Sequence, residues 1–491
     1  MKKYSSHIAV VILVLLGLYP IATAIRYPHY FLLDDAFITL TYSKNIALGK
    51  GFVFNHPPAT FGTTTPLFAL IIAALSAILP WIDIPVIAVF FTTFCWIGIV
   101  WLFVIFRNEW QLNYWKILVI ALVFYVLGWI KFLGMEAYLF AFLLTLSVSL
   151  FLSGRRLLTG FSSGLLFLTR GEGVLVLPAF LLFILIRDKK EARHVIKTFS
   201  KILIGFLLPT LLWFLFAYFN FGAILPNTLT AKQAQGQANF LNTFFMKLVN
   251  FWLPLWFKQF EILPTVNLSW LFVLAGFAAA LRHSQWLIWI GWIALYILGY
   301  SILKVSTYSW YFLPIIFVLN ILLSLGFIQI IEFLYKNIKN NTFRFLTISV
   351  FATISLWTLI TPAPAHGIGH RGDPRAESYI NLSQWLNKNT KSDESVAYIE
   401  IGYLGYYTNN RIIDLAGLIL PDIVQYISRG DFASGFWNYR PDYYIYIPDF
   451  DWALSAIRAD PRFEQEYQPV ATLPGPRETN FTIYKRRNPS N

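Results

Sequence analysis

The chain has 491 residues, of which 57% are hydrophobic and 13% are charged, and its formal net charge is +13. Soluble domains carry about 25% charged residues, so this composition excludes an ordinary soluble protein and favours a polytopic membrane protein. The basic residues stand mostly in short clusters between apolar segments, as the positive-inside rule requires. The charge therefore reports membrane topology and argues against nucleic-acid binding, and the single cysteine, Cys95, excludes an internal disulfide.

The first apolar run extends from Ile8 to Ile25, and two lysines stand shortly before it, at positions 2 and 3. It is long for the hydrophobic region of a signal peptide, so we predict an uncleaved first membrane span. A transmembrane helix needs about 20 apolar residues, with roughly 17 as the lower limit. By this criterion the sequence predicts about eleven spans, at 8–25, 84–106, 116–131, 136–153, 157–169, 173–187, 199–220, 267–281, 285–303, 310–333 and 342–361.

A further apolar segment, 66–80, is ambiguous, and the charges of the loops decide how it is interpreted. If it does not cross the membrane and the N-terminus is inside, nearly every basic cluster falls on the cytoplasmic side. If it did cross, the Arg155–Arg156 pair and the cluster at 187–193 would move outside. We therefore predict an interfacial or re-entrant helix at the outer face, with the C-terminus outside.

The composition changes abruptly after residue 361, and this change divides the chain into two predicted domains. Residues 1–361 form the transmembrane domain, with long outer loops at 26–83 and 221–266. Residues 362–491 form a small extracytoplasmic α/β domain. Its predicted elements are helices at 373–388 and 451–458 and strands at 395–401, 411–415, 442–447 and 480–485.

Adjacent carboxylates follow the first span almost at once, at Asp34 and Asp35. Charged residues close to the hydrocarbon region are costly and usually functional, and a carboxylate can serve as a general base for a hydroxyl acceptor. The alternative is a cap on the following helix. One aspartate would meet that need, so the pair favours function.

Further polar residues are predicted at the same outer face. Glu136 lies at the outer end of the span 136–153, and Arg170 and Glu172 lie in a tight outer turn. Glu136 and Arg170 could equally form a structural ion pair. Lysine or arginine here could stabilise a phosphate leaving group. Lysines and tyrosines at span ends are also common interface anchors. These later candidates are Asn227, Lys232, Lys304, Tyr308 and Tyr311.

Six motifs in this order resemble the bacterial GT-C-fold glycosyltransferases, especially their arabinofuranosyltransferase-like and dolichyl-phosphate-mannose mannosyltransferase-like members. The motifs are D-D-A-F-I, N-H-P-P followed by G-T-T-T-P-L, G-M-E-A-Y-L-F, L-T-R-G-E-G, L-P-N-T, and G-Y-L-G-Y-Y-T-N-N-R-I-I-D-L-A-G-L. The resemblance extends from residue 30 to about residue 425. It implies inverting transfer of a sugar from a polyprenyl phosphate to a glycan or lipid acceptor of the cell envelope, outside the cytoplasm.

The resemblance also implies roles for individual residues. Asp34 or Asp35 would be the base, and Glu136 would bind the acceptor or orient the base. Arg170 and Glu172 match a T-R-P-E-G pattern in which Gly171 replaces the usual proline. The substrate-binding candidates are Lys44, His56, Arg170, Glu172, Asn227, Lys232, Lys304, Tyr311, Arg411 and Asp414.

No cofactor is required by this chemistry, although the aspartate pair could hold a divalent cation. The histidines at 56, 366 and 370 are too scattered for a metal site. For Arg411 and Asp414 the alternative role is a strand and turn that hold the C-terminal domain together.

Two other functional classes fit the same composition. A transporter or lipid flippase would place ionisable groups near the middle of the bilayer, whereas here the polar candidates gather at one surface. A non-catalytic scaffold of the same fold is the third class.

Overall fold

The computed structural model describes most of the chain, in segments separated by short gaps. The described residues are 2–26, 32–54, 59–127, 132–188, 192–237, 244–258, 261–263, 266–267, 269–303, 305–306, 308–343, 346–347, 349 and 373–487. The predicted span at 342–361 therefore falls almost wholly outside them.

Where the structure describes residues 2–337, the regular elements are helices and one small hairpin. The helices are α1 Lys2–Arg26, α2 Asp34–Ala47, α3 Pro66–Ile78, α4 Ile84–Ile105, α5 Tyr114–Val126, α6 Ala137–Leu152, α7 Arg156–Thr169, α8 Val176–Asp188, α9 Ala192–Phe221, α10 Asn227–Gln237, α11 Phe244–Lys247, α12 Leu253–Lys258, α13 Ser269–Arg282, α14 Ser284–Leu303 and α15 Leu313–Asn337. Strands β1 Glu261–Leu263 and β2 Val266–Asn267 form the hairpin.

Each predicted span from 8–25 to 310–333 coincides with one of these helices. By length and composition, five described segments can cross a membrane alone: Ser6–Arg26, Ile84–Ile105, Ala192–Phe221, Ser284–Leu303 and Ser309–Asn337. Large apolar side chains along α9, such as Leu212 and Phe219, are exposed at its surface. The chain is an integral membrane protein, and such rows face lipid.

Glycines let two pairs of these helices approach closely. A Cβ atom on Gly160 would lie 1.9 Å from the carbonyl oxygen of Ile202, so α7 and α9 touch backbone to backbone. Gly276 and Gly326 make the equivalent contact between α13 and α15. Small residues are the usual means of close helix packing in membranes, where no hydrophobic effect drives helices together.

The ambiguous apolar segment forms α3, which packs against α2. With 13 residues and a rise of about 1.5 Å per residue, α3 reaches only about two thirds of the way across the roughly 30 Å hydrocarbon core. Its length suits a helix that does not cross alone.

The C-terminal domain is a five-stranded mixed sheet with helices around it. The strands are β3 Ser395–Tyr398, β4 Arg411–Asp414, β5 Tyr443–Tyr446, β6 Tyr467–Pro474 and β7 Asn480–Arg486, in the order β4-β3-β5-β7-β6. β3 pairs in parallel with β4 and β5, whereas β7 runs antiparallel to β5 and β6. The helices are α16 Ala376–Asn389, α17 Gly402–Tyr407, α18 Val424–Ile427, α19 Phe432–Tyr439, α20 Asp451–Ala459 and α21 Pro461–Glu466.

This domain docks on the helical domain through α17 and α2. Asp34 begins α2, and its carboxylate oxygens accept hydrogen bonds from the backbone N–H groups of Gly402 (3.0 Å) and Tyr403 (2.8 Å). A Cβ atom on Gly402 would lie 1.7 Å from the Asp34 carbonyl oxygen, so only glycine permits this approach. The docking joins two parts of the chain that are 368 positions apart.

Candidate active site

The two adjacent aspartates have different surroundings. Asp34 is 4% exposed, and its carboxylate holds the start of α17 as an N-terminal cap would. Asp35 is partly buried and lines two neighbouring cavities. Among the described residues, no group donates a hydrogen bond to the Asp35 carboxylate, which leaves it available to a substrate hydroxyl.

The larger cavity, about 290 Å³, lies between the helical domain and the C-terminal domain. The residues that line it from the helical side include Asp34, Asp35, Ile38, Gln235, Lys247 and Tyr308. Glu400, Phe432, Phe450 and Trp452 are among the residues that line it from the C-terminal domain. The docking of the two domains therefore creates this cavity.

A smaller cavity of about 40 Å³ lies on the other side of Asp35, and Glu136, Lys232 and Trp310 also line it. Asp35 and Thr39 are one helical turn apart on α2, so both face this space. The threonines at 39, 63 and 65 bond one another at 3.1–3.2 Å and fix this wall.

Burial raises the pKa of Asp35 to about 6, although the nearby Lys232 opposes this shift. Glu400 reinforces it, because a second carboxylate disfavours another negative charge. α2 lies outside the spans that the sequence predicts, so this carboxyl group can exchange protons with water. A carboxylate with a pKa near 6 is better suited to accept a proton at neutral pH than an ordinary aspartate is.

Of the cations near Asp35, Lys232 has the surroundings best suited to binding a phosphate group. It is 8% exposed, and its ammonium lies 5.2–5.8 Å from the ring centroids of Tyr308, Trp310 and Tyr311. Among the described residues, no carboxylate lies within 4.0 Å of its ammonium. Burial lowers its pKa, while the charge of Asp35 opposes that effect.

Arg170, in contrast, is fully paired. Its guanidinium contacts Glu136 at 3.0 Å and Glu172 at 2.5 Å, and all three side chains are largely buried. The ion pair that the sequence left open is therefore present. The guanidinium also lies 5.6 Å from the centroid of the Tyr311 ring, which the ammonium of Lys232 approaches to 5.2 Å.

An apolar cavity of about 60 Å³ ends at Arg170. Side chains of α4, α5, α6 and α15 line it, including Trp96, Phe124, Phe140 and Phe317. Arg170 is the one residue of the charged cluster among the residues that line it.

Four predicted substrate-binding residues contact other parts of the protein and do not line these cavities. Lys44 stands nine residues after Asp35, which places it on the opposite face of α2, and its ammonium donates to the carbonyl oxygen of Tyr406 (2.8 Å). Asn227 donates to the carbonyl oxygens of Gly417 and Leu418. Substrate binding by these residues remains a prediction.

Arg411 and Asp414 also have internal contacts. Arg411 is exposed on the edge strand β4, near the ring of Tyr439. Asp414 is buried and accepts hydrogen bonds from the N–H groups of Ala416 and Ile419, as a residue that fixes a turn does. The predicted His56 and Lys304 lie outside the described residues.

Most residues that line the larger cavity were not identified from the sequence, among them Glu400, Phe450 and Trp452. Glu400 follows β3 closely, and charged groups beyond the carboxyl end of a parallel strand often serve a ligand site. That signal was present in the sequence. No comparable pattern marked Phe450 or Trp452.

Comparisons with known proteins agree with this architecture. The fold is similar to crystal structures of ArnT from Cupriavidus metallidurans, at 13% sequence identity. For ArnT bound to undecaprenyl phosphate the TM-score is 0.57, with 98% of each chain covered. For apo ArnT the TM-score is 0.56, with 96% of this chain and 97% of that chain covered.

The C-terminal part of the chain also matches a family model. Residues 370–484 match a model described as a domain of unknown function, DUF8728, and no curated protein matches the sequence. At this identity the likeness to ArnT concerns the fold alone. It confirms the predicted polytopic GT-C-like helical domain with a small C-terminal α/β domain.

Proposed function

We propose that the protein is a membrane glycosyltransferase that moves a sugar from a polyprenyl-phosphate donor to an acceptor outside the cytoplasm. The observation that carries this proposal is the position of Asp35. Its carboxylate lies between two cavities and accepts no hydrogen bond from the described residues. Lys232, whose ammonium is surrounded by the rings of Tyr308, Trp310 and Tyr311, lines the smaller of the two.

The chemistry follows from this arrangement. Asp35 accepts the proton of an acceptor hydroxyl as its oxygen attacks the anomeric carbon of the donor. The bond from that carbon to the phosphate oxygen breaks, and polyprenyl phosphate leaves. A single displacement of this kind inverts the configuration at the anomeric carbon.

Lys232 is placed to stabilise the charge that develops on the leaving phosphate. A buried cation is more effective there than an exposed one, because the surroundings screen it less. Arg170 is already neutralised by two carboxylates. We therefore assign phosphate binding to Lys232. Arg170 would position Tyr311, one of the three rings around the Lys232 ammonium.

The apolar cavity beyond Arg170 supports a lipid-linked donor. Its lining is almost entirely aliphatic and aromatic, and it opens beside the charged cluster. Its lining suits the first part of a prenyl chain with the phosphate near Lys232, but a cavity of about 60 Å³ must widen to admit that chain, because a benzene-sized ligand already occupies a cavity of about 150 Å³. ArnT, which has the same fold, was crystallised with undecaprenyl phosphate.

The test is the substitution Asp35→Asn in purified full-length protein supplied with a panel of polyprenyl-phosphate sugars. We expect donor binding to be retained and turnover to fall by about 10²–10⁴-fold, the usual contribution of a general base. Lys232→Met should weaken donor binding instead. Parental turnover in Asp35→Asn would refute the assignment of the base, and a parent protein that binds no donor would refute the proposed function.

A further inference from the structure

The two walls of the 290 Å³ cavity differ in chemistry. The helical wall carries the charged residues Asp34, Asp35 and Lys247. It also carries the side chains of Gln235 and Tyr308, which bond each other at 3.0 Å. The wall from the C-terminal domain carries aromatic rings beside the carboxylate Glu400. A ligand that reaches Asp35 from this cavity must therefore also contact the C-terminal domain.

Trp452 is unusual among the aromatic residues of its domain. Its side chain is 56% exposed, whereas Tyr398, Tyr403 and Tyr444 are at most 1% exposed. The ring lies 5.6 Å from Phe432 and 6.5 Å from Phe450, measured between centroids, and both pairs meet edge to face. Exposed aromatic clusters at a cavity commonly mark a binding site.

Glu400 is held in a fixed orientation at the same cavity. One carboxylate oxygen accepts from the guanidinium of Arg375, and the other accepts from the hydroxyl of Tyr379. Arg375 is itself bonded to Asp373 at 2.8–2.9 Å. A carboxylate has about four acceptor sites, so Glu400 keeps capacity for about two further hydroxyl donors.

Aromatic faces beside a rigid carboxylate suit one class of ligand above others. A sugar ring presents apolar C–H groups on its faces and hydroxyl donors around its edge. A hydrocarbon chain would leave Glu400 without a new partner at a desolvation cost. A cavity of about 290 Å³ stands at the lower end of the range of ligand pockets, roughly 300–1,000 Å³, which suits a small saccharide.

We propose that the C-terminal domain supplies the acceptor site and that the acceptor is a carbohydrate. One sugar ring packs against Phe450 and Trp452, its hydroxyl groups bond to Glu400, and a further hydroxyl reaches Asp35. This inference rests on the proposed function for the role of the ligand as acceptor. The binding of a sugar at this wall can be measured without any turnover.

The experiment is saturation-transfer NMR on the full-length protein in lipid nanodiscs, with methyl glycosides of glucose, galactose, mannose, arabinose and N-acetylglucosamine as probes. We expect saturation of the ring protons of at least one glycoside. Trp452→Ala and Phe450→Ala should weaken its binding about tenfold or more, whereas Trp452→Phe should retain most of it. Trp81→Ala is the matched control, because Trp81 is 75% exposed and does not line the cavity.

Two results would overturn the inference: no saturation of any glycoside by the parent protein, or equal saturation by the parent and Trp452→Ala. Failure of the proposed function looks different. In that case glycosides bind and Trp452→Ala weakens them, but no sugar is transferred from any donor.

Discussion

At the scale of single residues, Asp34 and Asp35 show how a helix separates neighbours. Successive side chains on an α-helix point about 100° apart. Asp34 bonds α17 and borders only the larger cavity, whereas Asp35 lines both cavities. The sequence pattern predicted a helix cap and a general base as alternatives for the pair. In the structure no side chain caps α2. Asp34 instead accepts hydrogen bonds from the start of α17, and we propose the base for Asp35.

The pH dependence of turnover should report the surroundings of Asp35. The base acts when it is deprotonated, so kcat/KM should be full above about pH 6 and fall about tenfold per pH unit below it, because the pKa of Asp35 is raised to about 6. With an ordinary aspartate as the base, this fall in kcat/KM (the acidic limb of the pH profile) would lie near pH 4. The measurement is kcat/KM between pH 4.5 and 8.

Two variants make that profile diagnostic. Lys232→Gln removes the cation that opposes the rise in pKa, so the acidic limb should move to higher pH. Lys336→Gln, an exposed lysine at the end of α15, should leave the limb in place. A limb near pH 4 in the parent protein would show that another group is the base.

Asp34→Asn should reduce stability rather than affect the chemical step directly. An amide has one acceptor oxygen where the carboxylate has two, so one of the N–H groups of Gly402 and Tyr403 loses its partner. A buried unsatisfied donor costs about 1–3 kcal/mol. The melting temperature in detergent should fall, whereas Asp83→Asn, which changes an exposed aspartate whose side chain makes no cap hydrogen bond, should leave it unchanged.

At the scale of elements, helix placement was largely predictable because long apolar runs leave few alternatives. The length of the apolar runs located α4 and α15 within about four residues, whereas α1 and α9 begin at Lys2 and Ala192, before the predicted starts at 8 and 199. The cavity wall was not predictable in the same way. Glu400 and Trp452 approach Asp35 only because α17 docks on α2, and no local pattern specifies a contact between segments 368 positions apart.

The close helix pairs provide a test at this scale. Gly326→Ala would place a Cβ atom 1.9 Å from the carbonyl oxygen of Phe272, which forces α13 and α15 apart. We expect a loss of about 1–3 kcal/mol, the usual cost of overpacking, seen as a lower melting temperature. Gly291→Ala has open space around its Cβ and should be neutral or slightly stabilising, because alanine favours helices by about 1 kcal/mol. Equal melting temperatures for the two variants would contradict close packing here.

At the scale of the whole molecule, the proposed function depends on which side of the membrane the C-terminal domain faces. Loop charge predicts that this domain and Asp35 are outside and that the end of α15 is inside. The only cysteine, Cys95, is buried within α4, so the parent protein should give little background with thiol reagents. Exposed residues on either side can therefore carry single reporters.

Gln425→Cys in the C-terminal domain and Lys336→Cys at the end of α15 both place a thiol at an exposed position. A membrane-impermeant maleimide should label Gln425→Cys in intact cells and Lys336→Cys only after permeabilisation. The opposite pattern would put the cavity in the cytoplasm, where water-soluble nucleotide sugars are present and a polyprenyl-phosphate donor is not needed. The expected pattern would place the cavity outside the cytoplasm, where a lipid-linked sugar is the activated donor available. The phosphate of such a donor reaches the outer face of the membrane while its chain stays in the bilayer.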